Sequence, residues 1–126
     1  MLIRITLPFA VAVAVALAIV GTTPAKDGDV RVRGVCTKAS ASKLKLSAED
    51  GRIEVEFEVD QNRNGVRWTV VLRRGAQVIV RGTRITRPPS GSFEFRRLVS
   101  NLAGRDAINA RATSPSGEVC KASAVF

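Results

Sequence analysis

The stretch 52–60, RIEVEFEVD, decides the fold. Ile53, Val55, Phe57 and Val59 alternate with Arg52, Glu54, Glu56 and Glu58. A period of two puts the four apolar side chains on one face of an extended chain and the charges on the other. A helix would need its apolar residues three and four apart, so the segment reads as a half-buried strand. The same cadence recurs on both sides. Val66, Trp68, Val70 and Leu72 alternate with Arg67, Thr69 and Arg73. Val78 and Val80 continue it, as do Phe93 and Phe95, then Ile108, Ala110 and Ala112, and Cys120, Ala122, Ala124 and Phe126 close the chain. Upstream, Val30, Val32 and Cys36 form a first strand, and Leu44 and Leu46 a second, with Lys38 to Ser42 as a polar linker. Turn signals fall between the runs, among them Glu49-Asp50-Gly51, Asn64-Gly65, Arg74-Gly75, Pro88-Pro89-Ser90-Gly91, Ala103-Gly104 and Pro115-Ser116-Gly117. Seven or eight short strands at a spacing of roughly ten residues predict an all-β, antiparallel β-sandwich. A small closed β-barrel is the alternative.

Trial registers follow from the turns. Leu46 opposite Ile53 sets Leu44 against Val55, Lys45 against Glu54 and Lys43 against Glu56. Opposite charges across a ladder contribute roughly 0.2–1 kcal/mol each, so Glu54, Glu56 and Glu58 read as a solvated, paired row. A three-residue loop at Arg74-Gly75-Ala76 sets Val70 against Val80, Val71 against Ile79 and Trp68 over Gly82, where the ring would cover a strand glycine. The last hairpin pairs Ala112 with Cys120, Ala110 with Ala122 and Ile108 with Ala124. On its outer side Arg111 falls opposite Lys121, an unfavourable like-charge pair. Either the two splay into water or an anion sits between them.

The chain holds two cysteines, Cys36 and Cys120, near the ends of this strand region. One pairing exists, and it closes nearly the whole domain into a loop. Metal binding would need more ligands than two thiolates, with no histidine in the chain. A redox pair would favour Cys-x-x-Cys. A structural disulfide is the expectation, and it belongs to an oxidising compartment.

Residues 1–25 read as a secretory signal peptide. Arg4 supplies a basic start, Ile5 to Val20 is an apolar run broken by Thr6 and Pro8, and Thr23-Pro24-Ala25 offers small residues for cleavage before Lys26. The run is about 16 residues, short of the roughly 20 that span a bilayer. Residues 26–126 would then be a single exported domain of about 100 residues, expected to be monomeric and without a transmembrane segment.

Lys and Arg number 20 against 11 Asp and Glu, a net charge of +9. That excess favours an anionic polymer or cell-surface component, although it also serves solubility. The candidate anion-binding residues are Arg67, Arg73, Arg74, Arg81, Arg84 and Arg87. Specific nucleic-acid binding is not expected, because the few aromatic residues fall in core register and leave no stacking platform.

The segment Asp60-Gln61-Asn62-Arg63-Asn64-Gly65 opens like a calcium loop, but the twelfth position is Val71 and Arg63 opposes a cation. It reads as a polar turn between strands. Without histidine there is no Ser-His or Cys-His pair, and no Gly-x-Ser-x-Gly elbow occurs. No catalytic, cofactor-binding or metal-ligating residue is assigned, and an enzyme is not expected.

The strand count, Trp68 in mid-domain and the closing segment from Phe93 to Phe126 together resemble immunoglobulin-like and fibronectin type III-like sandwiches, as found in small secreted bacterial proteins. The resemblance implies fold and location but no activity. Two features depart from it. Cys36 and Cys120 sit on the first and last strands rather than across the core, and the chain has no tyrosine for a tyrosine corner. The reading is a secreted, non-catalytic binding protein that engages an anionic polymer or surface through an arginine-rich face. Two alternatives stand beside it: a secreted protein tuned only for solubility, and a partner-binding or inhibitor module presenting the loop Arg87-Pro88-Pro89-Ser90-Gly91.

Overall fold

In a computed structural model, which describes residues 28–126, the alternating runs become two antiparallel sheets. The leader assigned to residues 1–25 lies outside the described residues. The strands are β1 (Val30–Arg33), β2 (Val35–Cys36), β3 (Ala41–Glu49), β4 (Arg52–Asp60), β5 (Arg67–Arg74), β6 (Gln77–Ile85), β7 (Ser92–Ser100), β8 (Ala107–Thr113) and β9 (Val119–Val125). One sheet has the order β1-β3-β4-β7 and the other β2-β9-β8-β5-β6. The chain changes sheet after β1, β2, β4, β6 and β7, so besides the hairpins β3-β4, β5-β6 and β8-β9 the pairs β4-β7, β5-β8 and β2-β9 join strands distant in sequence. Among the described residues no ladder joins β6 to β7, and the two layers form a sandwich rather than a closed barrel.

The first predicted strand is two. It leaves the four-stranded sheet at Gly34 and joins the five-stranded one, bringing the count to nine. The crossing leaves no room for a side chain: a Cβ at Gly34 would lie 2.1 Å from Ser42 Oγ and 2.6 Å from the Lys121 carbonyl oxygen. β2 then pairs with β9 so that Cys36 faces Cys120 directly, and the two form a disulfide.

Two hairpin registers differ from the trial ones. Glu49 pairs with Arg52 around Asp50-Gly51, both of which have positive φ (47° and 75°), as a two-residue type I′ turn requires. Leu44 therefore faces Phe57 and Leu46 faces Val55, while Lys43 and Lys45 face Glu58 and Glu56. Each partner moves by two residues, so every side chain keeps its predicted face. At the next hairpin Arg74 pairs with Gln77 around Gly75-Ala76, with Gly75 at φ 56°. That turn alone would push Val80 outward. A bulge between Leu72 and Arg73 returns Val80 to the core opposite Leu72, puts Val70 opposite Gly82 and sets Val71 against Arg81 rather than Ile79. Trp68 lies opposite Arg84, and it is Phe95, from the other sheet, that covers Gly82: a Cβ there would meet the ring at 2.6 Å. The last hairpin has the predicted register throughout.

Leu44, Leu46, Ile53, Val55, Phe57 and Val59 meet Trp68, Val70, Leu72, Ile108 and Phe126 in one buried core. The small side chains Ala110, Ala112, Ala122 and Ala124 line the five-stranded side. Trp68 is fully buried, with its indole N–H donating to Gln61 Oε1 at 3.0 Å and its ring tilted against Phe93 at 6.0 Å. A buried Trp needs that partner for its one polar atom.

The connections are held by buried polar groups. Residues 38–40, at the start of the predicted linker, are pinned by Glu118, which is 3% exposed. Its carboxylate accepts from Lys38 N (3.1 Å), Ser40 N (3.0 Å) and Ser40 Oγ (2.6 Å). Thr86 Oγ1 accepts from Val66 N and donates to the Arg63 carbonyl oxygen. The turn at 60–65 joins the two sheets instead of closing a hairpin. Asp60 Oδ1 accepts from Asn62 N at 3.1 Å, and the positive φ falls on Asn62 (55°) and Gly65 (76°).

Candidate anion-binding face

The two outer faces differ in charge. On the four-stranded sheet the outward row of β4 lies between basic residues. Lys43 meets Glu58 at 3.6 Å and Lys45 meets Glu56 at 3.8 Å. On the other side Arg96 reaches Glu56 (2.6 Å), Glu94 (3.0 Å) and Glu54 (3.5 Å). Glu56, then Glu94 and Glu54, hold the Arg96 guanidinium above its ordinary pKa. The glutamate row is thus a set of surface ion pairs of modest energy.

The outer face of the five-stranded sheet carries no Asp or Glu among the described residues. Register places its side chains in rows perpendicular to the strands. The central row runs Val35 (β2), Lys121 (β9), Arg111 (β8), Val71 (β5) and Arg81 (β6). The row on one side is Val119, Thr113, Thr69 and Thr83. On the other side lie Ser123, Asn109, Arg73 and Val78, with Ser123 Oγ donating to Asn109 Oδ1 at 2.7 Å. Arg67 stands beyond the threonine row, opposite Ile85. Lys121, Arg111, Arg81 and Arg67 are exposed and Arg73 is half-buried. Directly opposed residues in a ladder have Cβ atoms about 4.5–5.5 Å apart, so Lys121 and Arg111 are neighbouring cations with no counter-charge on their own face. No ion pair of the described residues reaches any of the five.

No family model, no curated protein and no solved structure matches this chain.

Of the six arginines singled out by sequence, three share this face: Arg67, Arg73 and Arg81. Arg74 does not. Its Nε lies 3.1 Å from Asp106 Oδ1, and its Nη2 donates to the Ser100 carbonyl oxygen. That Nε is buried with no in-line hydrogen bond among the described residues, so its attraction to the buried carboxylate is charge on charge. Arg74 therefore clamps a sheet end. Arg84 points from β6 toward the gap between the sheets. There it and Arg97 lie over the Phe95 ring at 4.8 and 4.4 Å from its centroid. Arg87 is exposed in the 87–91 loop, beside Glu58 and Glu94 in a shallow cleft of about 440 Å³.

The list also missed two members of the face, Arg111 and Lys121. The signal was in the sequence, since the trial register of the last hairpin had set them opposite each other. They lie outside the arginine-dense segment, and their opposition by itself allows either splaying into water or an anion between them. Among the described residues no group of three or more His, Cys, Asp or Glu is placed to hold a metal ion.

The 87–91 loop is closed at its base. Arg87 N donates to Ser92 O at 2.9 Å and Gly91 N to Arg87 O at 2.9 Å. Gly91 packs on the 62–63 backbone so closely that a Cβ would lie 2.2 Å from Arg63 N. Arg87, Pro88, Pro89 and Ser90 project into solvent from that base.

Proposed function

We propose that this is an exported, non-catalytic binding protein that engages an anionic polymer or cell-surface component through the outer face of its five-stranded sheet. One observation carries the reading: Arg67, Arg73, Arg81, Arg111 and Lys121 share a face that holds no acidic residue among the described positions. A surface tuned only for solubility intersperses the two signs, and the four-stranded sheet does so. Segregating them creates a one-signed field that attracts polyanions. Export is supported by the leader-like N-terminus and by the disulfide, which persists in oxidising compartments. No helix among the described residues is long and apolar enough to cross a membrane. The order of crossovers supports the likeness to immunoglobulin-like sandwiches.

The test is retention on immobilised heparin at low salt. We expect elution to move to markedly lower salt when Arg73, Arg81 and Arg111 are changed to serine. Unchanged elution of the triple variant removes the reading. A second reading, a partner-binding or inhibitor module, draws on the closed base of the 87–91 loop. A partner interaction lost on changing Arg87 and Ser90, with heparin retention intact, would favour it.

A further inference from the structure

The charged face has a direction as well as a sign. Its central row crosses the strands, and the hydroxyls of Thr113, Thr69 and Thr83 form a parallel row beside it. Strand spacing of about 4.8 Å puts Arg111 about 5 Å from Lys121 and roughly 10 Å from Arg81 at the backbone. We propose that a linear phosphate polymer lies across the strands along Lys121, Arg111 and Arg81, with one phosphate held between Lys121 and Arg111 and the threonine row donating to its oxygens. This deepens the proposed function and rests on it.

Three features point to this occupant. Lys121 and Arg111 are opposed like charges on an acid-free face, so a shared oxyanion relieves their repulsion. Guanidinium groups bind phosphate bidentately, and Lys adds a point charge at the same group. Each internal phosphate keeps two non-bridging oxygens whose lone pairs are not confined to one plane, so a phosphate between the two cations can also accept from a hydroxyl on the neighbouring row, whereas a carboxylate presents its lone pairs in a single plane. Aromatic residues are absent from the three rows, so base or sugar stacking has no platform there. The exposed apolar residues lie at the margins, Val35 ending the central row beside Lys121, Val125 on β9 and Ile85 on β6, and do not form one apolar patch, which argues against insertion of the face into a bilayer.

The experiment measures binding of inorganic polyphosphate to the intact chain over a salt series. Arg111→Ser, Lys121→Ser and Arg81→Ser are compared with Arg67→Ser, which removes the same charge from the same face about 13 Å from the row. We expect each row variant to weaken binding about tenfold and to lower the log–log salt slope by about 0.7–0.9. Arg67→Ser should weaken it less than threefold. Thr113→Val should weaken it about threefold while leaving the salt slope unchanged. All these side chains but Thr113, which is half-buried, are solvent-exposed, and an unaltered thermal melt confirms folding in each variant. If Arg67→Ser is as damaging as Arg111→Ser, binding reads net charge alone: the track fails and the anion-binding reading stands. Binding to anionic vesicles or heparin without polyphosphate also sinks the track only. If no polyanion binds, both fall.

Discussion

Replacing Cys36 and Cys120 together by alanine tests how this domain is stabilised. The two cysteines are 84 residues apart in sequence, and their bridge joins β2 to the last strand, β9. Loop-closure entropy for that length is about 15 cal/mol/K, or about 4.5 kcal/mol at 25 °C, taken mostly from the unfolded chain. Net stabilities of 5–15 kcal/mol are usual for a domain, so the bridge accounts for a large part of the total. An unfolding entropy near 2.1 cal/mol/K per residue gives about 0.2 kcal/mol/K for residues 28–126, and the melting temperature should fall by about 20 °C. Alanine is the right replacement because Cys120 is fully buried and a serine hydroxyl would need a partner there. Urea titration followed by circular dichroism reads the loss, and the slope with urea should rise as the uncrosslinked chain expands. A loss below about 1 kcal/mol would refute the reasoning. It would mean that the unfolded chain without the bridge already keeps its two ends close, so that the crosslink removes little entropy from it.

Other expectations follow from single positions. Gly34→Ala should cost about 1–3 kcal/mol by chemical denaturation, since the added Cβ collides with the backbone of β9 as well as with Ser42; a neutral result would show that the strand can cross between sheets elsewhere. Glu118→Ala removes the acceptor for three donors and should destabilise by about 2–4 kcal/mol, with amide exchange at Lys38 and Ser40 speeding first. Arg84 and Arg97 turn inward along the free edges of β6 and β7, a known device against edge-to-edge pairing. The double variant Arg84→Val/Arg97→Val should therefore self-associate with rising concentration in sedimentation experiments while the parent chain stays monomeric; a monomeric variant would leave the two arginines with a packing role alone.

How much of the molecule is readable from its residues differs between levels. The faces were legible. In 52–60, 107–113 and 119–125 the alternation is unbroken, and the structure buries the side chains it marks. Registers were legible only in part. Asp50-Gly51 and Gly75-Ala76 close tighter loops than the trial ones. The bulge at Leu72 then appears because Val80 must face the core, a demand made by the opposite sheet. For the candidate face, arginine density pointed to the middle of the chain. Membership depended on neighbours brought together by crossovers: Arg111 and Lys121 joined it, Arg74 was drawn to Asp106, and Arg84 to Phe95.

Alternation, turn residues and the lone cysteine pair determined by themselves that this chain makes a disulfide-closed stack of short antiparallel strands with an excess of positive charge. Those properties depend on residues close together in sequence, or on a pairing with one solution. Only the folded molecule decided which strands share a sheet, and hence that acidic residues gather on one outer face while the other keeps cations alone. Sheet membership is set by contacts between segments far apart in sequence, and a period of two says which way a side chain points, not what it meets there.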